Sequence, residues 1–408
     1  FSKESSVAFF ALFPVTAFLL KGRSVKDSLL RSLPWLAAVL LFLLCRQVVL
    51  HGVRQDYETT VIENSLYGAT SSAVRYATVL SILFNNWKLM VWPHPLSWDY
   101  SFNQLPLTSW SDPLVWFSLL LHLAAMAMGV LLFKRSPAVS WGIFFFLVLL
   151  LPTSNVFFLN GTTYAERFLF LPSFGLIVSM FALWLHLNPS RISADPMKAA
   201  RPWSLPVLLL CLAGAFATSS RCNDWKDNLS LFESGVASAP NSSRTQMALA
   251  TEYMNKAEKS SVLQERQELI AGSKEHFRRS LEIFPDNASA AYKLGLIHAI
   301  TGDTASAIGL YRSAIRCKPD DVFSLVNVAT IYSVRSQTDS ALYFLRQSFR
   351  VDSLNEMTLT NLMVVHFNRG EDAEVVRYGE TAIRNGVGTP KINDLLSRSN
   401  VRLGTTVR

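Results

Sequence analysis

The sequence is short of charge, has no paired cysteine motif and lacks an initiator methionine, and each absence narrows the reading. Charged residues make up 17% of the 408 residues and hydrophobic ones 50%, too apolar a balance for an ordinary water-soluble domain. Cys45, Cys211, Cys222 and Cys317 include no CxxC pair, so no metal site is indicated. Two of them lie in apolar runs, where cysteine behaves as a small hydrophobe; Cys222 and Cys317 can pair only if the fold brings them together. The net charge of +8 is not arranged as a basic stripe with interleaved aromatics, so no nucleic-acid partner is expected. The chain opens Phe1-Ser2-Lys3-Glu4, with neither Met nor a basic n-region, and is expected to be the C-terminal piece of a longer protein.

What is present is unevenly spread. Six runs, near 5–20, 33–50, 114–133, 138–159, 168–187 and 203–220, are apolar enough to cross a bilayer core about 30 Å thick at about 1.5 Å per helical residue. The segment 73–93 differs. Its polar residues Arg75, Thr78, Ser81, Asn85 and Lys88 recur at helical steps, and Tyr76, Trp87 and Trp92 sit among its apolar ones. That pattern predicts a helix lying in the bilayer surface.

Loop charges support this assignment. With 73–93 on the surface, the loops 21–32, 134–137 and 188–202 share one side and carry Lys21, Arg23, Lys26, Arg31, Lys134, Arg135, Arg191, Lys198 and Arg201 against Asp27 and Asp195. The loops 51–72, 94–112 and 160–167 share the other and carry Asp56, Glu58, Glu63, Asp99, Asp112 and Glu166 against Arg54 and Arg167. Lys and Arg collect on the cytoplasmic side, so everything after Arg221 is expected on the opposite one. A spanning 73–93 would put the later basic loops outside.

Past about residue 245 the composition turns to Ala, Leu, Tyr and charge, with a period of 34. Gly295, Ala307, Tyr311, Ala314 and Pro319 occupy the small, small, aromatic, small and Pro positions of a tetratricopeptide repeat. Adding 34 gives Ala329, Ala341, Leu345, Ser348 and Ser353; the preceding copy holds Phe277, Ser280 and Pro285. A weaker last copy carries Ala382, and an insertion near Lys256–Ile270 is expected to separate the helices of the first. Such an array either presents a concave surface that holds a peptide or packs as a structural lid. The fold class is therefore all-α, a multi-pass transmembrane helix bundle followed by a tetratricopeptide-repeat α-solenoid. The expected domains are 1–222 (membrane), 223–245 (junction) and 246–408 (repeats).

Candidate chemistry gathers in the loops opposite the cytoplasm. Glu166 and Arg167 stand where a helix enters the bilayer, an expensive place for charge without a task. The alternatives are a local Glu–Arg pair or an arginine reaching to headgroups. Arg46 and Lys3 sit at outer helix ends, where each either contacts a phosphate or anchors its helix. Asp99 lies between interfacial aromatics and is open to a structural or a chemical role. His122 and His186 read as packing or helix-end residues. Asn160, Asn228, Asn241 and Asn287 head Asn-x-Ser/Thr triplets, which permit glycosylation only in a eukaryotic lumen.

Four ordered stretches carry a resemblance: Pro95-Leu96-Ser97-Trp98-Asp99-Tyr100-Ser101; Trp110-Ser111-Asp112-Pro113; Leu151-Pro152-Thr153-Ser154-Asn155; and Ala165-Glu166-Arg167-Phe168 through Gly175. With Arg221-Cys222-Asn223-Asp224-Trp225-Lys226-Asp227 leading into repeats, the chain resembles the transmembrane and tetratricopeptide repeat containing proteins, a group of membrane O-mannosyltransferases. Lys3-Glu4 also matches a helix entry of that family. The resemblance implies a GT-C-like bundle and transfer of mannose, or another hexose, from a dolichyl- or polyprenyl-phosphate carrier to Ser or Thr of a protein. Glu166 and Asp99 are then the candidate catalytic acids, and Arg167, Arg46 and Lys3 the candidate phosphate-binding cations.

The family's acidic catalytic pair lies in its first lumenal loop, and this chain is expected to start after it. No metal ligands are assigned, although such transfer can employ a divalent ion. The partners implied are the bilayer, a lipid-linked sugar and a protein acceptor held by the repeats. The location implied is the endoplasmic reticulum membrane in a eukaryote or the inner membrane in a bacterium, with the repeats lumenal or periplasmic. The competing reading is a non-catalytic membrane scaffold whose repeats gather partners.

Overall fold

A computed structural model describes residues 8–50, 60–188 and 204–404. It divides into two compact units, Phe1–Thr245 and Gln246–Arg408, and no strand occurs among the described residues.

The first unit contains α1 (Ala8–Leu19), α2 (Val25–Leu50), α3 (Ser72–Val91), α4 (Pro113–Leu131), α5 (Pro137–Leu150), α6 (Phe170–Leu187), α7 (Ser204–Asp224) and α8 (Asn228–Ser238). Four helical stretches are long and apolar enough to cross a membrane: Val25–Val49, Pro113–Leu131, Glu166–Leu187 and Ser204–Asp224. Their apolar side chains mostly face outward. No residue of α7 is buried, and Leu210 and Phe216 are 75% and 78% exposed. In water this would forfeit about 1.5–3 kcal/mol per side chain of that size, so lipid is the solvent this surface is built for. The chain is a membrane protein.

Local chemistry sets the helix ends. Ser71 caps α3 by accepting the Val74 N–H, and Asp112 caps α4 by accepting from Leu114, with Pro113 in the first turn. The run expected to span 138–159 is helical only over Pro137–Leu150, followed by a tight turn at Leu151–Thr153. Pro152 has no N–H to continue the ladder, and Asn155 then adopts a left-handed φ of 59° that turns the chain away.

Helices α5 and α6 meet through glycines. A Cβ on Gly142 would lie 2.3 Å from the Gly175 carbonyl oxygen, and one on Gly175 would lie 2.6 Å from that of Gly142. Ser179 donates its hydroxyl to Val139 O across the same seam at 3.2 Å. Small residues let two backbones touch, the usual means of pairing helices where no hydrophobic force acts between them. His122 on α4 accepts from Trp87 Nε1 at 3.2 Å and lies 2.8 Å from Ser118 O, a packing role. The four cysteines are free.

The second unit is a run of helical hairpins: α9 (Ser243–Lys259, entering from the first unit), α10 (Leu263–Ile283), α11 (Ala288–Ile300), α12 (Thr304–Cys317), α13 (Val322–Val334), α14 (Thr338–Val351), α15 (Glu356–Asn368), α16 (Asp372–Arg384) and a capping α17 (Pro390–Leu403). The positions singled out by the period form its core. Phe277, Tyr311 and Leu345 are completely buried, as are Ala307, Ala314, Ala329, Ala341 and Ala382. Gly295 is small for a visible reason: a Cβ there would stand 2.9 Å from the Tyr311 ring. The insertion near 256–270 does not form a separating loop. It lengthens both helices of the first hairpin, leaving only 260–262 as the turn.

Candidate functional site

The loop between α3 and α4 folds back on itself around two acids. Asp99 is 8% exposed, and its carboxylate is fully engaged. It accepts the Ser101 N–H (2.9 Å), the Ser101 hydroxyl (2.8 Å) and the Ser242 hydroxyl (3.0 Å), with the Arg244 guanidinium 3.9 Å away. Backbone bonds from Asn103 N to Asn241 O (2.9 Å) and from Ser243 N to Phe102 O (2.7 Å) continue the same seam. Asp99 thus ties the loop to the 239–245 segment, and nothing reacting could reach it without breaking that tie. Beside it, Trp98 packs on Phe232 at 5.4 Å and against Gly235, where any Cβ would collide with the indole.

Glu166 is placed differently. It begins the tight turn Glu166–Leu169 that feeds α6, and it is only half-buried. Its Oε1 accepts the Ser97 N–H at 2.7 Å and the Tyr100 hydroxyl. Its Oε2 has no hydrogen bond among the described residues. Tyr100 also stacks edge-on against Tyr164, with centroids 5.3 Å apart. Burial, and then the bond to Glu166, push the Tyr100 phenol well above its ordinary range; burial does the same to Tyr164. Both phenols therefore stay protonated, and Tyr100 serves Glu166 as a fixed donor.

Arg167 does not pair with its neighbour. It is exposed, its guanidinium stands 5.3 Å from the Phe168 ring centroid, and no ion pair engages it among the described residues. The cation that acts electrostatically on Glu166 is Arg221, which is itself bridged to Asp224 at 2.5 Å and to Ser234 at 2.8 Å. Arg46 lies half-buried near the end of α2. Lys3, with Glu4, lies outside the described residues. Of the five candidates, the fold brings Glu166 and Asp99 to one loop, Ser97–Ser101, and leaves Arg167 beside it in sequence.

Residues that sequence reasoning passed over hold the 151–165 loop. Asn64 donates to Asn155 Oδ1 (3.1 Å) and Asn160 O (2.8 Å), while Asn155 donates to Thr163 O (3.1 Å). Thr163 Oγ1 accepts from the Ser65 N–H at 2.9 Å. Arg75, read as part of a polar stripe, donates to the carbonyls of Asn155 and Val156 at 3.1 and 3.2 Å. The polar stripe that begins at Arg75 is the one signal in the sequence, and it gives a face without naming the loop that the face meets. The same packing bears on the glycosylation triplets. Asn160 Nδ2 is buried without a partner among the described residues, and Asn287 is buried where it caps α11, whereas Asn228 and Asn241 are exposed. Among the described residues no group of three His, Cys, Asp or Glu side chains is placed to hold a metal ion.

No family model matches the chain. It is 28% identical over 252 residues to "Protein O-mannosyl-transferase TMTC1" of Homo sapiens, which covers 59% of this chain and 26% of that protein. The Mus musculus counterpart gives 28% over 246 residues, covering 57% and 24%. "Protein O-mannosyl-transferase F38B6.6" of Caenorhabditis elegans gives 28% over 156 residues, covering 38% and 21%. The chain spans about a quarter of the length of the curated relatives it matches. Among solved structures, a crystal structure of MamA is 16% identical with a TM-score of 0.35, covering 41% of this chain and 91% of that one. The chain is thus similar in sequence to protein O-mannosyl-transferases of the transmembrane and tetratricopeptide repeat type, in agreement with the resemblance carried by its motifs.

Proposed function

We propose that this chain is part of a membrane protein O-mannosyltransferase that takes mannose from a polyprenyl-phosphate carrier on the non-cytoplasmic face. The observation that carries the proposal is Glu166: a half-buried carboxylate with one oxygen fixed by Ser97 and Tyr100 and the other free among the described residues. An acceptor hydroxyl gives its proton to Oε2 as its oxygen attacks the anomeric carbon, and the bond from that carbon to the carrier phosphate breaks. The departing phosphate needs a cation, and Arg167 is the exposed one next in the chain. Arg46 and Lys3 are further candidates for the same anion. Asp99 is assigned to positioning, because its oxygens are already occupied.

The repeats hold the protein acceptor in this scheme. The membrane is the endoplasmic reticulum in a eukaryote and the inner membrane in a bacterium, with the repeats on the side away from the basic loops. The test is transfer of labelled mannose from polyprenyl-phosphate mannose to a Ser/Thr-rich protein by the whole protein of which this chain is part, and by its Arg167→Ala variant. Loss of transfer with unchanged thermal unfolding is expected. Near-normal transfer by a folded Arg167→Ala protein would sink the assignment of Arg167, and an absence of donor-dependent transfer in the parent would favour the scaffold reading.

A further inference from the structure

Arginines on the repeat unit divide into two populations. On α10, Arg278 and Arg279 are bridged to Glu275 and Glu282 at 2.6 and 3.0 Å. On α16, Arg377 pairs with Glu374 at 2.5 Å, and on α17, Arg398 pairs with Asp394 at 3.4 Å. This is the ordinary solvated helix face, with charges of both signs three or four residues apart. Arg266, Arg335 and Arg384 are also exposed without an ion pair among the described residues, but each stands alone, whereas α12 and α14 each carry two such arginines a turn apart. Arg312 and Arg316 on α12, and Arg346 and Arg350 on α14, are exposed and make no ion pair among the described residues.

The four are in register: each arginine of α14 stands 34 residues after one of α12, so the repeat carries the same pair of cations at the same place twice. No acid lies within α12, and α14 has only Asp339, which is bonded to Arg369 at 2.8 Å. Asp320, Asp321 and Asp352 lie beyond the C-terminal ends of these helices, and Asp321 is occupied capping α13. Like charges one turn apart repel by a few tenths of a kcal/mol, a penalty that an arriving anion removes.

The α14 pair also lines a cavity of about 610 Å³ with Asp339, Leu342, Tyr343, Gln347 and Arg369, so three guanidinium groups face one acid there. Tyr343 is 59% exposed, and Arg369 is fixed from both sides by Asp339 and Glu371, each at 2.8 Å. An apolar and aromatic floor under guanidinium forks suits a carboxylate-bearing side chain, since planar forks and carboxylates match in two parallel bonds.

We infer that this face of α12 and α14 binds an acidic segment of a protein partner, an extended stretch rich in Asp and Glu with one side chain seated in the α14 cavity. A chain-like ligand is favoured over a single headgroup or phosphate because the cations are spread over two helices a full repeat apart. The inference concerns the repeat unit's own surface and does not depend on the transfer reading.

The test uses the full chain in detergent micelles and a labelled peptide of alternating Glu and Ser, read by fluorescence anisotropy. A Lys-for-Glu peptide serves as the charge control, and vesicles containing phosphatidylserine serve as the lipid competitor. Saturable binding of the acidic peptide that weakens with added salt is expected, with none of the lysine peptide. The double variant Arg346→Glu/Arg350→Glu should weaken binding by roughly tenfold or more, equivalent to about 1.4 kcal/mol. Both side chains are solvent-exposed, so circular dichroism should be unchanged; Arg346→Gln/Arg350→Gln provides a milder second variant with the same expected direction. Lys391→Glu, an exposed site on α17, should bind the acidic peptide nearly as the parent does. Equal binding of the acidic and lysine peptides, undiminished binding by both folded double variants, or anionic vesicles binding through these arginines while the peptide does not, would overturn the proposal.

Discussion

Tyr100 and Glu166 are held together by a phenol that donates to the same carboxylate oxygen already taking the Ser97 N–H at 2.7 Å. The two residues come from different loops, and their bond leaves one oxygen of the acid presented rather than buried. That asymmetry distinguishes Glu166 from Asp99, whose oxygens are both taken.

Glu166→Gln should therefore separate chemistry from folding. The amide keeps the size of the side chain and can still accept from Tyr100 and Ser97, yet it cannot take a proton. Transfer is expected to fall by about 10²–10⁴-fold, the usual contribution of a positioned base, with a small change in thermal midpoint. A purely structural Glu166 would give the opposite split, a lowered midpoint with the rate per folded molecule retained.

Asp99→Asn should act on architecture. It weakens bonds from Ser101 and Ser242 and the approach of Arg244, with an expected loss of about 1.5–3 kcal/mol for a hydrogen-bonded buried charge. Hydrogen exchange at the Asn103 and Ser243 amides is the measurement, and faster exchange at both is expected. Unchanged protection would show that the backbone seam stands without the acid.

Gly142→Ala and Gly175→Ala should each destabilise the first unit by about 1–3 kcal/mol, the cost of forcing atoms into a packed contact. Gly214 on α7 has nothing within 4 Å of where its Cβ would be, so Gly214→Ala is the matched control and should be neutral or stabilising by up to about 1 kcal/mol. Thermal midpoints in one detergent decide the comparison; equal midpoints for all three would mean that the seam yields easily.

The repeat unit should lose stability in acid over a definable window. Hydrogen bonds from Ser306, then His298, hold the Asp303 carboxyl down from an ordinary 3.8 to about 2. A depressed carboxylate stabilises the fold fully above its unfolded value and loses that contribution as pH falls towards its folded one. Glu371, lowered chiefly by the His366 bond, acts in the same direction. Midpoints measured from pH 5 to about 2 should fall more steeply for the parent than for Asp303→Asn, which can still cap α12. Parallel curves would remove Asp303 from the account.

The repeat core was readable because its packing recurs: Gly295 against Tyr311, and Phe277 and Leu345 at the equivalent places, obey one period. The apolar runs were readable because a lipid-facing helix has little else to say in sequence. What could not be read was long-range. Nothing in the pattern around Asp99 points to Ser242, more than a hundred residues on, and nothing around Arg75 points to the carbonyls of Asn155 and Val156. The neighbouring Glu166 and Arg167 suggested a pair by adjacency, yet the tight turn between loop and α6 sends one towards Ser97 and the other over Phe168. Periodicity reports a face; it does not report which distant loop that face will meet.

The contact between Gly142 and Gly175 has a mechanical consequence. With two backbones touching at Gly142 and Gly175, and Ser179 bonded across the seam to Val139 O, α5 and α6 form one closely joined strut. Glu166 sits at the end of that strut, a turn ahead of α6. The acid is thus anchored from two sides, by the α5–α6 strut through its own chain and by the Ser97–Ser101 loop through Tyr100 and the Ser97 N–H.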